Sequence, residues 1–253
     1  MNYKPWLSIF DKYGIHKHDF NKSPFEITAK QIKTATAHFD ATSEKEARVL
    51  CKQDSREDRP EVFADNGLFI LPTKNGVYSI IKGEGYVDIP AITTGIKVYK
   101  SKLDFELETS KIGNSEMQHL DYAYANSLIR TFMEDESLVL TIRGRKYTPE
   151  FDFKVGKFLI SQKSVQTEVD AGYEGKTQIA LIEAKNTIST NTIIRQLYYP
   201  YRQWQQQVTK KVNMLFFEKR EEEYLIWQFT FKNSNDYNSI ELVRSANFEI
   251  TST

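Results

Sequence analysis

The segment TQIALIEAKN, residues 177–186, constrains the fold of this chain more than any other stretch. In a strand, alternate side chains point to opposite faces, which groups Ile179 with Leu181 and Ala180 with Ile182. Both faces begin apolar, as is typical of a central strand that is buried on both sides. One face then ends in Glu183 and Lys185, and charged groups at the end of such a strand need partners.

An acidic partner for Glu183 is found in the preceding strand. The run VQTEVD ends at Asp170, on the face that also carries Gln166 and Glu168. The span 171–178 is long enough to turn and bring Asp170 beside Glu183. We therefore expect two carboxylates and Lys185 to converge at one edge of a sheet. The alternative is a structural salt bridge among these groups.

The expected cluster has the chemistry of a phosphodiester-hydrolysing site. Mg²⁺ prefers carboxylate oxygens and keeps open positions for water and substrate phosphate. The metal would offset the repulsion between Asp170 and Glu183, and Lys185 would orient or activate water and offset developing negative charge. An acidic residue followed at the second position by Lys also occurs at Asp152 and Glu174, but neither follows an apolar strand that is preceded by an acidic strand end.

The pattern of Asp170 followed by Glu183-Ala184-Lys185, in the order strand, strand, helix, resembles the PD-(D/E)xK nuclease superfamily. The longer string from TEVDAGYEG through IALIEAKN to IIRQLYYPYRQW is similar to type II restriction endonucleases of that superfamily, over roughly residues 155 to 230. Two departures are Val169, where the family has a nominal Pro, and Pro200, which replaces the Tyr of the Gln-x-x-x-Tyr helix motif found in some related exonucleases.

The resemblance implies an α/β (α+β) core with a central mixed sheet flanked by helices, in which Asp170 and Glu183 bind Mg²⁺ and Lys185 is catalytic. It also implies Glu116 as a further metal ligand from an earlier helix. By the same resemblance the protein would cut double-stranded DNA at specific sequences. It would act as a homodimer on palindromic sites, alongside a DNA methyltransferase of the same restriction-modification system.

The rest of the chain predicts a division into residues 1–95 and 96–253. Helical spacing in residues 26–39, a capping box from Ser43 to Glu46 and a hairpin at Asn75-Gly76 favour an N-terminal winged-helix-like α+β domain. A small α+β packing domain is the alternative. Residues 115–133 have the apolar spacing of one core helix, and Gly172 and Gly175 mark turns between strands.

Candidate DNA contacts lie in both parts of the chain. The N-terminal domain offers basic residues that suit phosphate groups in a module of this type, namely Arg48, Lys52, Arg56 and Arg59. The helix after the catalytic strand offers basic and amide side chains suited to phosphates and base edges, namely Arg195, Gln196, Arg202 and Gln203.

The formal net charge of the 253 residues is zero, which argues against a uniformly basic coat. Residues 140–213, however, contain twelve basic and six acidic side chains, and residues 61–139 contain seven and twelve. A polyanion could therefore bind locally. The absence of a signal sequence, of a long apolar run and of a second Cys predicts a cytoplasmic protein that does not span a membrane.

Three functions remain open from the sequence. The first is a Mg²⁺-dependent, sequence-specific DNA endonuclease. The second is a repair or recombination nuclease that recognises DNA structure. The third is a DNA-binding regulator in which the sheet is only a scaffold, and this protein would bind DNA with a steep salt dependence without cutting it.

Overall fold

The computed structural model describes residues 3–251, except for the side chain of Lys111. The first part of the fold packs helices on a small antiparallel sheet. Its helices are α1 (Tyr3–Tyr13), α2 (Ala29–Ala35), α3 (Thr42–Lys45), α4 (Ala47–Leu50) and α5 (Glu61–Ala64). Its strands are β1 (Phe25–Thr28), β2 (Leu68–Lys74) and β3 (Val77–Lys82), paired in the order β1-β3-β2. Buried side chains such as Trp6, Ile32 and Phe63 join the helices to this sheet.

The N-terminal elements agree in part with the sequence patterns. The hairpin at Asn75-Gly76 is confirmed, and Gly76 has the positive φ of 72° that suits glycine in such a turn. Residues 26–39 are not helical throughout, because β1 covers their start and Thr28 then caps α2 through a capping box with Gln31. The capping box predicted at Ser43 is wrong, since α3 and α4 are separate short helices without side-chain caps.

The second part of the fold contains the remaining elements. Its helices are α6 (Glu116–Ala125), α7 (Leu128–Met133) and α8 (Ile194–Gln205). Its strands are β4 (Tyr86–Asp88), β5 (Lys97–Lys100), β6 (Val139–Tyr147), β7 (Phe151–Val155), β8 (Phe158–Gln162), β9 (Gln166–Glu174), β10 (Gln178–Lys185), β11 (Asn191–Ile193), β12 (Lys211–Arg220), β13 (Glu223–Phe231) and β14 (Ile240–Thr251).

A mixed sheet of seven strands, within residues 3–251, has the order β5-β14-β13-β12-β10-β9-β6. Strand β10 lies near its centre, parallel to β12 and antiparallel to β9. Leu181 belongs to the same buried cluster as Leu197 of α8 on one face, and Ile182 belongs to the same cluster as Leu120 of α6 on the other. The predicted α+β class, with a central mixed sheet flanked by helices, is confirmed, as is the burial of β10 on both sides.

Two local predictions in this part are wrong. The helix expected over residues 115–133 breaks into α6 and α7, because Asn126 caps α6 by donating to the Tyr122 carbonyl and Ser127 takes a left-handed φ of 63°. Gly172 does not mark a turn. It lies inside β9 opposite Leu181, where a Cβ atom would come within 2.7 Å of the Ile142 Cβ.

The two parts of the fold are in direct contact. Strand β4, which follows the N-terminal hairpin, pairs with β11 immediately before α8. The backbone amide of Ile193 donates to the carbonyl of Asp54, and that of Ile194 donates to the carbonyl of Gly85. The start of α8 is therefore held by residues from the first third of the chain. Across residues 3–251, none of the helices combines the length and apolar character needed to cross a bilayer.

Candidate active site

Strands β9 and β10 bring the two predicted carboxylates together. Their antiparallel register sets Ala171 opposite Ile182, which brings Asp170 beside the end of β10. Oδ2 of Asp170 accepts a hydrogen bond of 2.8 Å from the backbone amide of Ala184. Because this bond runs to the backbone, it fixes the Asp170 carboxylate beside Glu183 without using a charged side chain.

Lys185 completes this group. Its Nζ donates to Oε1 of Glu183, which lies two positions earlier on the same face of β10. Glu183 is only 9% exposed, whereas Lys185 and Asp170 are half-buried. The arrangement therefore places a nearly buried carboxylate and an ammonium group beside a second carboxylate that solvent can reach.

Burial determines the proton affinity of these groups. Loss of solvent raises the pKa of Glu183 to about 7, although Lys185 partly opposes this shift. Burial also raises the pKa of Asp170, and the nearby Glu116 and Glu168 add to the effect. Burial disfavours the charged form of Lys185, but the carboxylates of Glu183, Glu116 and Asp170 together outweigh it and raise the Lys185 pKa. Perturbed acids of this kind are typical of functional sites.

A cavity of about 500 Å³ opens over these groups. Its lining includes predicted site residues from both parts of the chain, and these are Asp170, Glu183, Lys185, Glu116, Arg195, Gln196, Arg48 and Lys52. The structure therefore gathers the proposed catalytic residues, the additional acidic residue and some of the proposed DNA contacts in one place.

The acidic side chains that could hold a metal ion are Asp170 and Glu183. They offer neighbouring carboxylate oxygens, the type of donor that Mg²⁺ prefers, and a divalent cation would offset the burial of their charges. Glu116 lines the same cavity. Within residues 3–251, however, no group of three or more His, Cys, Asp or Glu side chains is arranged to enclose a metal ion. Glu116 is therefore not grouped with Asp170 and Glu183 as a third ligand, and a cation held by these two carboxylates would need water or substrate oxygens for its other positions.

Arg202 and Gln203 do not face this cavity. Arg202 is 5% exposed, and its Nη1 donates to the carbonyls of Asp152 and Ser234 and to the Tyr198 hydroxyl. Gln203 is 2% exposed and accepts a hydrogen bond from Thr167. We therefore withdraw Arg202 and Gln203 from the proposed DNA contacts, because their polar groups hold α8 against its neighbours.

Arg56 and Arg59 also lie outside the cavity lining. The guanidinium of Arg56 pairs with Asp88 at 2.5 Å and with Glu84 at 3.6 Å. Arg59 lies over the ring of Tyr86, with its Cζ 5.1 Å from the ring centre. These contacts attach the N-terminal segment to β4, and the DNA contact expected of the two arginines stays a prediction outside the cavity.

The sequence patterns missed several residues of the cavity wall. Those not proposed as site residues are Asp54, Arg145, Gln166, Thr167, Glu168 and Pro200. Strand alternation could have found Gln166 and Glu168, because they share a face with Asp170. No sequence pattern points to Asp54, which reaches the cavity from an irregular segment of the N-terminal part. Acidic and basic side chains are equally numerous in the lining, so the local positive charge expected from the sequence does not make this wall strongly basic.

Comparison with protein families divides the chain into two matched segments. A family model described as "Domain of unknown function (DUF6997)" matches residues 81–249. The chain belongs to the DUF6997 family. A second model, "Domain of unknown function (DUF6996)", matches residues 3–80. Comparisons with curated proteins and with solved structures gave no match. The predicted division into residues 1–95 and 96–253 stays a prediction.

The cavity draws on both matched segments. The DUF6997 segment supplies Asp170, Glu183 and Lys185, together with the start of α8. The DUF6996 segment supplies Arg48 and Lys52, as well as the acidic Asp54. In this DUF6997 protein the lining of the candidate active site therefore comes from both matched segments.

Proposed function

We propose that this chain is a Mg²⁺-dependent endonuclease that hydrolyses phosphodiester bonds in double-stranded DNA, in the manner of type II restriction enzymes. One observation carries the proposal. Asp170 is held beside Glu183 and Lys185 on adjacent strands of the central sheet, within a cavity that also contains arginine and lysine side chains.

Each of these residues has a distinct part in the proposed reaction. Asp170 and Glu183 would hold Mg²⁺, which when bound would neutralise charge and polarise the phosphoryl group. Because Glu183 raises the pKa of Lys185, that side chain is an ammonium at neutral pH. We therefore assign Lys185 to orienting water and offsetting negative charge that develops on the phosphate oxygens. Arg195 and Arg145, at the cavity wall, would bind neighbouring phosphates.

The substrate and partners follow from the same proposal. Duplex DNA would enter between the N-terminal part and the end of β10, and Arg48 and Lys52 would contact its backbone. The helices and hairpin of the N-terminal part support a winged-helix-like DNA-binding domain. Sequence specificity, homodimers acting on palindromic sites and a companion DNA methyltransferase belong to the restriction-enzyme hypothesis, as does a cytoplasmic location.

The deciding experiment incubates the purified protein with mixed-sequence duplex DNA and Mg²⁺. Discrete fragments from plain duplex would support a site-specific endonuclease, with loss of cutting in Lys185→Ala. Cutting confined to branched or damaged DNA would instead support a repair or recombination nuclease. Absence of cutting on every substrate would reject both nuclease hypotheses.

A second candidate is a DNA-binding regulator without catalytic activity. The observation that favours it is the ion pair between Glu183 and Lys185, because a purely structural salt bridge would also produce this contact. Asp170 argues against a closed salt bridge, since its carboxylate bonds to the backbone of Ala184 and stays half-buried at the cavity. This candidate predicts salt-dependent DNA binding that Lys185→Ala leaves intact and that Mg²⁺ does not convert into cleavage.

A further inference from the structure

Asp54 is the acidic residue by which the N-terminal part reaches the start of α8. Its Oδ1 accepts from Nη2 of Arg195 at 3.4 Å, across 141 residues of sequence. Its backbone carbonyl accepts from the amide of Ile193 at 2.8 Å, at the residue that caps α8. Side chain and backbone of one residue therefore hold both the helix start and the first arginine of the helix.

The environment of this ion pair makes it more than an ordinary surface contact. The side chains of Arg195 and Asp54 are only 22% and 19% exposed, so solvent screens their attraction less than it would at the surface. Lys52 also pairs with Asp54, at 3.6 Å, but its side chain is 71% exposed, so solvent screens this pair more fully. Of the two cations that Asp54 contacts, Arg195 is thus the one that is largely shielded from solvent.

Neighbouring contacts keep Asp54 in place. The backbone amide of Arg56 donates to Oδ1 of Asn191 at 2.7 Å, and Nδ2 of Asn191 donates to both carboxylate oxygens of Glu57. These bonds join the segment that follows Asp54 to β11, directly before α8. The segment cannot shift along the helix without breaking them.

The position of Asp54 relates it to the proposed catalytic group. Asp54 and Lys185 both line the 500 Å³ cavity, and both also line an adjoining cavity of about 460 Å³. A phosphate beside Lys185 would thus lie near the guanidinium that Asp54 holds. A guanidinium has several N–H donors, and the bond to Asp54 uses only Nη2 of Arg195, so in the part of the chain that the structure describes its other nitrogens could donate to a phosphate.

We propose that Asp54 is a positioning residue, through which the N-terminal part aims Arg195 at a backbone phosphate next to Lys185. This inference rests on the proposed function, because it assumes a DNA substrate. It makes the N-terminal part a component of the active site in addition to a DNA-binding module. The proposal also explains why an acidic residue lies in a cavity proposed to bind DNA, because the carboxylate of Asp54 would orient the guanidinium of Arg195.

The test is a double-mutant cycle on DNA affinity, measured with the full-length protein and a fluorescent duplex in the absence of metal. Arg195→Ala should weaken binding and lower the slope of log K against log[salt] by about 1. Asp54→Ala should also weaken binding, by about 3–10-fold, because Arg195 loses its orientation. Asp54→Asn should restore most of the affinity, since its amide oxygen still accepts from Arg195. In the Arg195→Ala background, Asp54→Ala should weaken binding no further.

Whether Asp54→Ala weakens or tightens DNA binding tests the positioning role of Asp54. If Asp54 only cancels positive charge, its removal tightens DNA binding, and that result would overturn the proposal. Additive effects of Asp54→Ala and Arg195→Ala would overturn it as well. The matched control is Glu46→Ala, which removes an acidic residue that pairs with Lys33 in the same part of the chain, away from the cavity. Glu46→Ala should leave DNA affinity unchanged.

The experiment also separates this inference from the proposed function. Binding with the predicted coupling but without cleavage would reject the nuclease and keep the role of Asp54 in DNA recognition. Cleavage without coupling between Asp54 and Arg195 would support the nuclease and reject the positioning role of Asp54. If the wild-type protein does not bind DNA, both proposals fail together. Thermal unfolding of each variant shows whether Asp54→Ala is folded, and Asp54→Asn carries the test if it is not.

Discussion

Helix α8 carries an Arg-Gln pair near each end, and the structure places the pairs in opposite environments. Arg195 and Gln196 are half-buried and line the cavity above Asp170. Arg202 and Gln203, about two turns later, are buried among the β7–β8 hairpin, β9 and the loop after β13. The same residue types therefore serve a candidate site at one end of the helix and packing at the other.

The difference lies in what satisfies the polar groups. Arg202 donates to fixed carbonyl oxygens, and its guanidinium lies 4.6 Å from the ring centre of Phe151. Within residues 3–251, the guanidinium of Arg195 pairs with a single carboxylate, that of Asp54, from another part of the chain. The Nη1 donor of Arg202 is used inside the fold, although its buried Nε has no hydrogen-bond partner in the described residues. A buried group whose donors meet fixed acceptors stabilises the fold, whereas a polar group at a cavity can bind a ligand. Substitutions at the two ends should therefore change different properties.

The largest effect is expected at the cavity, on activity. Asp170→Ala should lower the rate of DNA cleavage by about 10³-fold or more, because the site loses one of its paired carboxylates. The free energy of unfolding should hardly fall, since the buried charge of Asp170 is itself costly. Single-turnover cleavage and urea unfolding measure the two quantities. A variant that cuts normally, or one that fails only because it unfolds, would refute the assignment.

The next effect contrasts the two arginines. Arg202→Ala should lower the free energy of unfolding by about 2–4 kcal/mol, because buried carbonyl groups lose their donor. Arg195→Ala should lower it by less than about 1 kcal/mol, because its partner Asp54 remains partly hydrated and still pairs with Lys52. Urea denaturation of both variants at neutral pH checks the difference. Equal destabilisation would show that the two ends of α8 are not distinct.

The buried carboxyl group of Glu183 should make the free energy of unfolding depend on pH. The pKa of Glu183 is raised to about 7 in the fold from an ordinary value of 4.5. The folded state therefore keeps a proton that the unfolded state releases, and this contribution lowers stability as pH rises from about 4.5 through about 7. Glu183→Gln removes the titration. Its stability relative to wild type should rise by about 1–3 kcal/mol between about pH 5 and pH 8 without metal.

Unfolding by urea at several pH values measures this difference. Glu168→Gln is the matched control, since Glu168 is an exposed carboxylate at the same cavity wall and pairs with Arg145. Its stability relative to wild type should change less over the same range. A difference for Glu183→Gln that stays flat or falls with rising pH would contradict the buried, proton-holding carboxylate.

The smallest effect contrasts the two glutamines. Gln203→Ala should cost about 1–2 kcal/mol, because the buried Thr167 hydroxyl loses its acceptor at 2.8 Å. Gln196→Ala should stay within about 0.5 kcal/mol of wild type, since Gln196 lines the cavity and its contact with Thr192 lies within one turn. Thermal unfolding of the two variants is sufficient. A larger loss for Gln196→Ala would reverse the comparison.

Sequence patterns predicted the residues at the centre of the candidate site but missed several residues of the cavity wall. Strand alternation was enough to group Asp170 with the face that meets Glu183, because it is a local property of each strand. The turn expected over residues 171–178 was wrong, since β9 runs past Asp170 to Glu174 and the chain reverses only between Glu174 and Gln178. The burial of Arg202, in contrast, does not follow from the residues next to it in the sequence. A helical period places Arg202 on nearly the same face as Arg195, but the β7–β8 hairpin and the loop after β13 bury it. The position of Asp54 at the cavity depends on contacts between distant segments, and the spacing of residues within a helix or strand does not predict such contacts.

The central claim is that Asp170, Glu183 and Lys185 form a Mg²⁺-dependent phosphodiester-hydrolysing site. The most direct measurement is cleavage of duplex DNA by the wild-type protein and by Lys185→Ala, across a titration of Mg²⁺. We predict cleavage that requires Mg²⁺ in the wild type and is lost in a folded Lys185→Ala protein that still binds DNA. Cleavage that persists in Lys185→Ala, or a wild-type protein that binds DNA and never cuts it at any Mg²⁺ concentration, would contradict the claim.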